Sequence, residues 1–214
     1  NQFLAIIDQE KLYSLRKFVL AGYVVVASQY RGGGGSEGQD EFGGADIDDV
    51  LSLIPLVDSL AYADGSRIGM FGWSRGGMMT YLALARTSRI AAAVIAAAPT
   101  DLALAFKMRP EMEGLAFRLI PNYAQKKTGA IEARSAVFWP EKLPKNTPFL
   151  LLQGSADRNC DPSDVLKMAL RLYEAKQPFR LVFFEGGSHG LNEHTAEVDR
   201  LIMSWFDGHL RGSK

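Results

Sequence analysis

One cysteine, Cys160, stands in 214 residues, so no internal disulfide holds the fold and its stability must come from a buried core. A lone thiol leans toward a reducing compartment such as the cytoplasm and is compatible with the periplasm; in a loop it reads as a small packing side chain. Charge of one sign is also missing. Lys plus Arg is 24 and Asp plus Glu is 24, so no global field draws the chain to nucleic acid or anionic lipid. The longest apolar runs are Phe18 to Ala27, broken by Gly22, and Ile90 to Ala98. Both are well short of the roughly 18 residues that a spanning helix needs, which excludes a membrane-crossing segment of that kind. No internal repeat and no low-complexity segment appears, and Asn1 is not followed by a basic region and apolar run of the signal-peptide type.

What is present is globular in character. Apolar residues make up 47% and charged residues 22%, enough to bury a sizeable core. The length suits one domain over residues 1–214. From Tyr23 onward, short β-branched or aliphatic runs alternate with longer helical patterns, separated by Gly, Pro, Asp or Ser. The runs Tyr23–Ser28, Ile68–Gly72, Ala92–Ala97, Phe149–Gln153 and Leu181–Glu185 are nearly continuous in apolar residues, as parallel strands covered on both faces should be. The class predicted is α/β, with a mostly parallel sheet of five strands and helices on both faces.

Helical spacing covers Gln9–Ala21, the segment from Asp46 to Leu60, Met78–Arg86, Pro162–Ala175 and Glu197–Leu210. Asp46, Asp48 and Asp49 crowd one first turn, where carboxylates suit the helix dipole and serve structure, and Pro55 should kink or break the helix that follows. Residues 102–146 fit the rhythm least and read as a cap or insertion over a site.

The pattern G-x-S-x-G marks a nucleophile elbow, a serine on a sharp turn between strand and helix. It occurs three times, around Ser36, Ser74 and Ser188, so context has to choose. Only Ser74 directly follows a predicted strand and directly precedes a predicted helix. A serine hydroxyl needs a base, usually a histidine steered by a carboxylate. Of the three histidines, His194 and His209 fall at or within the last helix, whereas His189 lies in Gly186-Gly-Ser-His-Gly after the last strand. Asp157, in Gly154-Ser-Ala-Asp after the fourth strand, is the preferred carboxylate and Asp161 the second choice. The order Ser74, Asp157, His189 is that of α/β-hydrolase triads. The backbone N–H of Arg75 follows the serine and so becomes an oxyanion donor, while its side chain reads as a surface ion pair. Trp73, Tyr30, Phe138 and Trp139 are aromatic candidates for a pocket wall that are equally explained by packing. No run of Cys, His and carboxylates has metal-ligand spacing, so neither a metal nor a cofactor is expected.

Tyr30-Arg-Gly, Gly72-Trp-Ser-Arg-Gly-Gly, Ala98-Pro-Thr-Asp-Leu, Gly154-Ser-Ala-Asp and Gly187-Ser-His-Gly together resemble the catalytic domain of the prolyl oligopeptidase and dipeptidyl peptidase family of α/β-hydrolases. The resemblance runs from about Ala21 to the C-terminus. It implies the α/β-hydrolase fold, with Ser74 as nucleophile, Asp157 as orienting acid and His189 as base, which coincides with the reading above. It also implies an oxyanion loop, usually His-Gly-Gly, on a strand before the first helix. No such loop is found. Phe3-Leu-Ala-Ile-Ile is the alternative for that strand, but Asp8-Gln-Glu after it has no glycine. In the family's sheet that strand lies between Tyr23–Ser28 and Ile68–Gly72, so the chain is expected to lack a central strand that an upstream segment supplies. The function expected is a serine hydrolase cleaving peptide bonds in short peptides or small molecules through an acyl-enzyme. Carboxylesterase activity on small esters, and a non-catalytic binding protein of the same fold, are the alternatives. Oligomeric state and natural substrate are not indicated.

Overall fold

The computed structural model describes residues 9–211, with side chains from Ser14 onward. The segment Phe3 to Ile7 lies outside the described residues. The chain divides into two compact units, residues 1–65 and 66–214.

In the first unit, helix α1 spans Gln9–Leu20. It ends where glycine allows a left-handed turn: Gly22 has φ +85°, its N–H bonds the carbonyl of Val19, and Tyr23 N–H reaches back to Phe18 at 3.0 Å. That pair of bonds satisfies carbonyls the helix end would otherwise leave open. Tyr23–Ser28 follows without forming a ladder, which corrects the expectation of a strand there. An extended segment becomes a strand only when a neighbour takes its N–H and C=O groups, and among the described residues of this unit none forms a strand.

The loop beyond is held by carboxylates. Arg31 grips Asp49 through its backbone N–H at 2.9 Å and through Nε and Nη2. Asp46 accepts the N–H groups of Gly43 and Gly44. The acidic first turn is thus structural, as its position suggests. The expected helix is two helices, α2 (Asp46–Leu51) and α3 (Leu53–Ser59). Pro55 has no N–H for the carbonyl of Leu51, so the break falls one turn before it.

In the second unit the elements are β1 (Ile68–Trp73), α4 (Arg75–Leu84), β2 (Ile90–Ala96), α5 (Leu102–Met108), α6 (Pro110–Leu119), α7 (Tyr123–Glu132), β3 (Phe149–Gly154), α8 (Pro162–Glu174), β4 (Phe179–Phe184) and α9 (Thr195–Leu210). The four strands form one parallel sheet in the order β1-β2-β3-β4. Five strands were expected, and among the described residues four pair, Tyr23–Ser28 being the missing one. The central strands carry the core: Phe149, Leu150, Leu151 and Leu152 are all 0% exposed, each stabilising the fold by about 1.5–3 kcal/mol. A Cβ on Gly69 would meet Phe206 and Leu210 of α9, whereas one on Gly72, three residues on, would meet Gly76 and Thr80 of α4. Residues an odd number apart point to opposite faces of a strand, so α4 and α9 cover the two faces of β1.

The residues 102–146 fold as α5, α6, α7 and two 3-10 turns. Asp101 caps α5 by accepting the N–H groups of Ala103 and Leu104. Pro110 opens α6 at a position where its missing N–H costs nothing. No helix among the described residues is long and apolar enough to cross a membrane.

Candidate active site

The C-terminal ends of β1, β3 and β4 each lead into a loop that carries one of the predicted residues. Ser74 follows β1 directly. Its backbone is at φ +54°, ψ −122°, a conformation that costs a non-glycine residue about 1–3 kcal/mol. The surrounding bonds hold it there: Ser74 N–H donates to Ala96 of β2 at 2.8 Å, and its carbonyl accepts from Gly77 at 2.9 Å.

The glycines of the motif have unequal roles. A Cβ on Gly72 would lie 2.1 Å from the carbonyl oxygen of Gly76, and one on Gly77 would lie 2.4 Å from the Cβ of Ala98. At Gly76 a Cβ would meet nothing within 4 Å. The turn therefore needs Gly72 and Gly77 for close approach, and Gly76 lends only its backbone.

Asp157 follows β3 and is buried, with 0% of its side chain exposed. Its Oδ2 lies 2.9 Å from His189 Nδ1 and accepts from Gln153 Nε2 at 3.1 Å. Oδ1 accepts the N–H groups of Asn159 and Cys160 at 2.8 and 2.9 Å. Burial pushes this carboxyl up, but the hydrogen bond from His189, the two backbone donors and the nearby imidazole outweigh it and hold the group below its ordinary value. Asp161, the second choice, is instead the N-cap of α8, accepting Ser163 N–H at 2.8 Å.

His189 sits on the loop after β4. Its carbonyl accepts Trp73 Nε1–H at 2.9 Å, which ties this loop to the residue before Ser74. The loops of Asp157 and His189 meet through backbone, since Ala156 N–H donates to Gly187 at 3.0 Å. The other candidates are placed elsewhere. Ser188 donates to Glu193 through N–H and Oγ, His194 Nε2 bonds the carbonyl of Glu185, His209 is within α9, and Ser36 is in a loop of the first unit. Trp139 is buried and donates to the carbonyl of Glu132, so it packs, while Phe138 is exposed.

Arg75 opens α4, where the first N–H groups of a helix have no partner within it and the dipole favours negative charge. The α5–α6 junction carries Arg109 close enough to act electrostatically on the Cys160 thiol. Cys160 itself is buried. Burial first, then Asp157 and Asp164, raise its thiol well above the usual range, although the Ser74 side chain beside it acts in the opposite sense.

Three features escaped sequence reasoning. Gln153 holds the carboxylate from within β3, and Trp73 anchors the histidine loop; a glutamine ending an apolar strand was the only sign of the first. The third is a cluster: Asp157, Cys160 and His189 offer ligand-type atoms that lie within 4.8 Å of one another. Asp157 and Cys160 are close in the chain, but His189 follows a whole helix and strand later, too far for any spacing rule to reveal the cluster.

A buried carboxylate, the imidazole it orients and a serine on a strained elbow at one sheet edge suit nucleophilic acyl transfer. The chain is similar to known proteins. The model of the prolyl oligopeptidase family matches residues 11–213. The uncharacterized peptidase YtmA of Bacillus subtilis (strain 168) is 26% identical over 191 residues, 88% of this chain and 74% of that protein. The uncharacterized peptidase YuxL of the same organism is 29% identical over 218 residues, covering 88% of this chain and 30% of that one. A puromycin-hydrolyzing peptidase of Mycobacterium tuberculosis superposes with a TM-score of 0.69 at 26% identity, covering 81% of this chain and 26% of that one. The chain thus spans about three quarters of the first of these relatives and less than a third of the other two. It belongs to the prolyl oligopeptidase family of serine peptidases and has their α/β-hydrolase fold.

Proposed function

We propose that this chain is a serine hydrolase that cleaves amide bonds of short peptides or small aminoacyl compounds through an acyl-enzyme. The observation that carries the proposal is the 2.9 Å pairing of His189 Nδ1 with a buried Asp157, on loops bonded to one another and, through Trp73, to the elbow of Ser74. With Nδ1 committed to Asp157, Nε2 is the nitrogen that takes the proton of Ser74 as Oγ attacks the carbonyl carbon. The Arg75 N–H stabilises the negative charge that develops on the carbonyl oxygen. His189 then gives that proton to the leaving amine as the C–N bond breaks, leaving an ester on Ser74. Water repeats the cycle: His189 accepts its proton, the acid is released and Oγ–H is restored. Asp157 holds the tautomer throughout.

Peptide rather than ester substrates are favoured by the family, and the matched relatives named as peptidases point the same way. The test is labelling by a fluorophosphonate probe, followed by hydrolysis rates on matched aminoacyl anilides and nitrophenyl esters. Labelling of wild type and not of Ser74→Ala, with anilides cleaved, is the result expected. A Ser74→Ala protein that labels or turns over as wild type does would overturn the assignment. Ester cleavage alone would leave the nucleophile in place and replace peptidase by esterase.

A further inference from the structure

We infer that Cys160, His189 and Asp157 form a binding site for a soft divalent cation such as zinc, and that its occupancy reversibly blocks the hydrolysis proposed above. The regulatory half rests on that proposal, whereas the binding site stands on geometry alone.

Thiolate, imidazole and carboxylate are all ligands that zinc takes, and three protein ligands with a fourth position open is a common zinc arrangement. Here one atom of each kind lies within 4.8 Å of the others. Bonds of about 2.0–2.3 Å to a tetrahedral zinc place ligand atoms roughly 3.3–3.8 Å apart, so the cluster closes on a metal with movements of about an ångström. Two of the three are already fixed. Asp157 and Cys160 share one tight turn, in which the carboxylate accepts the Cys160 N–H at 2.9 Å, and both are buried. The third has room to adjust, since the His189 side chain is 24% exposed.

The donor set selects the ion. A thiol among the ligands favours zinc over magnesium or calcium, which prefer oxygen alone. On binding, the Cys160 S–H bond breaks, a sulfur–metal bond forms and the proton leaves to solvent. His189 coordinates through Nδ1, the nitrogen that faces Asp157; the proton it carried passes to Nε2, which then has no lone pair to take the Ser74 proton. The Cys160 side chain has no part in the hydrolytic steps, so it can be removed without touching them.

The experiment follows fluorophosphonate labelling of the wild-type chain as zinc chloride is added, together with the absorption spectrum on adding cobalt chloride. Zinc should slow labelling and a chelator should restore it. Cobalt should give a thiolate-to-metal charge-transfer band. Cys160→Ala, or Cys160→Val to refill the volume, should label at the wild-type rate without metal, lose the cobalt band and need at least about tenfold more zinc, since even outer-shell partners of a metal ligand are worth that much. Equal zinc sensitivity in wild type and variants, or no cobalt–thiolate band, overturns the site. A cobalt band in a protein that never labels supports the site and overturns the hydrolase reading. Labelling that zinc leaves untouched supports the hydrolase reading and overturns the inference.

Discussion

Gly154 and Gly187 approach so closely that a Cβ on the first would lie 2.2 Å from the carbonyl oxygen of the second. This contact brings together the loops that carry Asp157 and His189, so the pairing of acid and base depends on two residues that have no side chain. Gly154→Ala should force the loops apart. Overpacking at such a point costs about 1–3 kcal/mol, and a displacement near an ångström at a reacting group costs about 100-fold in rate. Thermal melts should show the first effect and labelling rates of Ser74 the second. An alanine variant with wild-type melting and wild-type labelling would mean that the two loops are aligned by something else.

Ser74 offers a separation of activity from stability. Its φ of +54° and ψ of −122° strain any residue with a side chain, and glycine escapes that strain. Ser74→Ala should lose several orders of magnitude in turnover with the strain retained. Ser74→Gly should be equally inactive but more stable than the alanine variant by about 1 kcal/mol, because relief of strain exceeds the added freedom of glycine in the unfolded chain. Urea midpoints of the two variants test this. Equal midpoints would show that the elbow is relaxed.

The glycines of the elbow should respond in opposite ways. Gly72→Ala puts a methyl group 2.1 Å from the Gly76 carbonyl oxygen, against backbone that has no room to yield, and should destabilise by about 3 kcal/mol or prevent folding. Gly76→Ala meets nothing within 4 Å and sits inside α4, where alanine is favoured over glycine by about 1 kcal/mol. Its melting temperature should hold or rise. If Gly76→Ala is the more damaging of the two, the packing described for this turn is wrong.

Much of this was legible in the sequence, for identifiable reasons. The runs at Ile68, Ala92, Phe149 and Leu181 read as strands because turn residues such as Gly, Pro and Asp lie near their ends, and the inner two are apolar until Gln153 near the end of β3. Ser74, Asp157 and His189 could be singled out as candidates because each lies just past a strand that the pattern locates. Tyr23–Ser28 failed because apolarity marks a segment able to pair and says nothing of whether a neighbour is there. Asp157 and Asp161 were hard to separate four residues apart in one loop; only the tight turn to Cys160 shows that one faces His189 and the other caps α8. The Asp157, Cys160 and His189 cluster was invisible because the residues meet only when β3 and β4 lie side by side.

Asp157 also ties stability to pH, with a sign fixed by its environment. In the folded chain its carboxyl is held below the ordinary value: burial raises it, but His189 and the N–H groups of Cys160 and Asn159 lower it by more. The folded state therefore binds this proton less tightly than the unfolded chain. The stabilisation is complete above the unfolded value of about 3.9 and is lost as pH falls from there through the lower folded value. Asp164 has the opposite sign, since burial raises it, but it is present in both proteins compared and cancels in their difference. Asp157→Asn should be less stable than wild type at neutral pH, with urea midpoints that converge with those of wild type as pH falls below the unfolded carboxyl value of about 3.9. The same substitution should reduce turnover by roughly 10⁴, because asparagine no longer enforces the tautomer of His189. Parallel stability curves for the two proteins would show that the carboxylate gains nothing from its partners, and the electrostatic basis of the pair would fall with them.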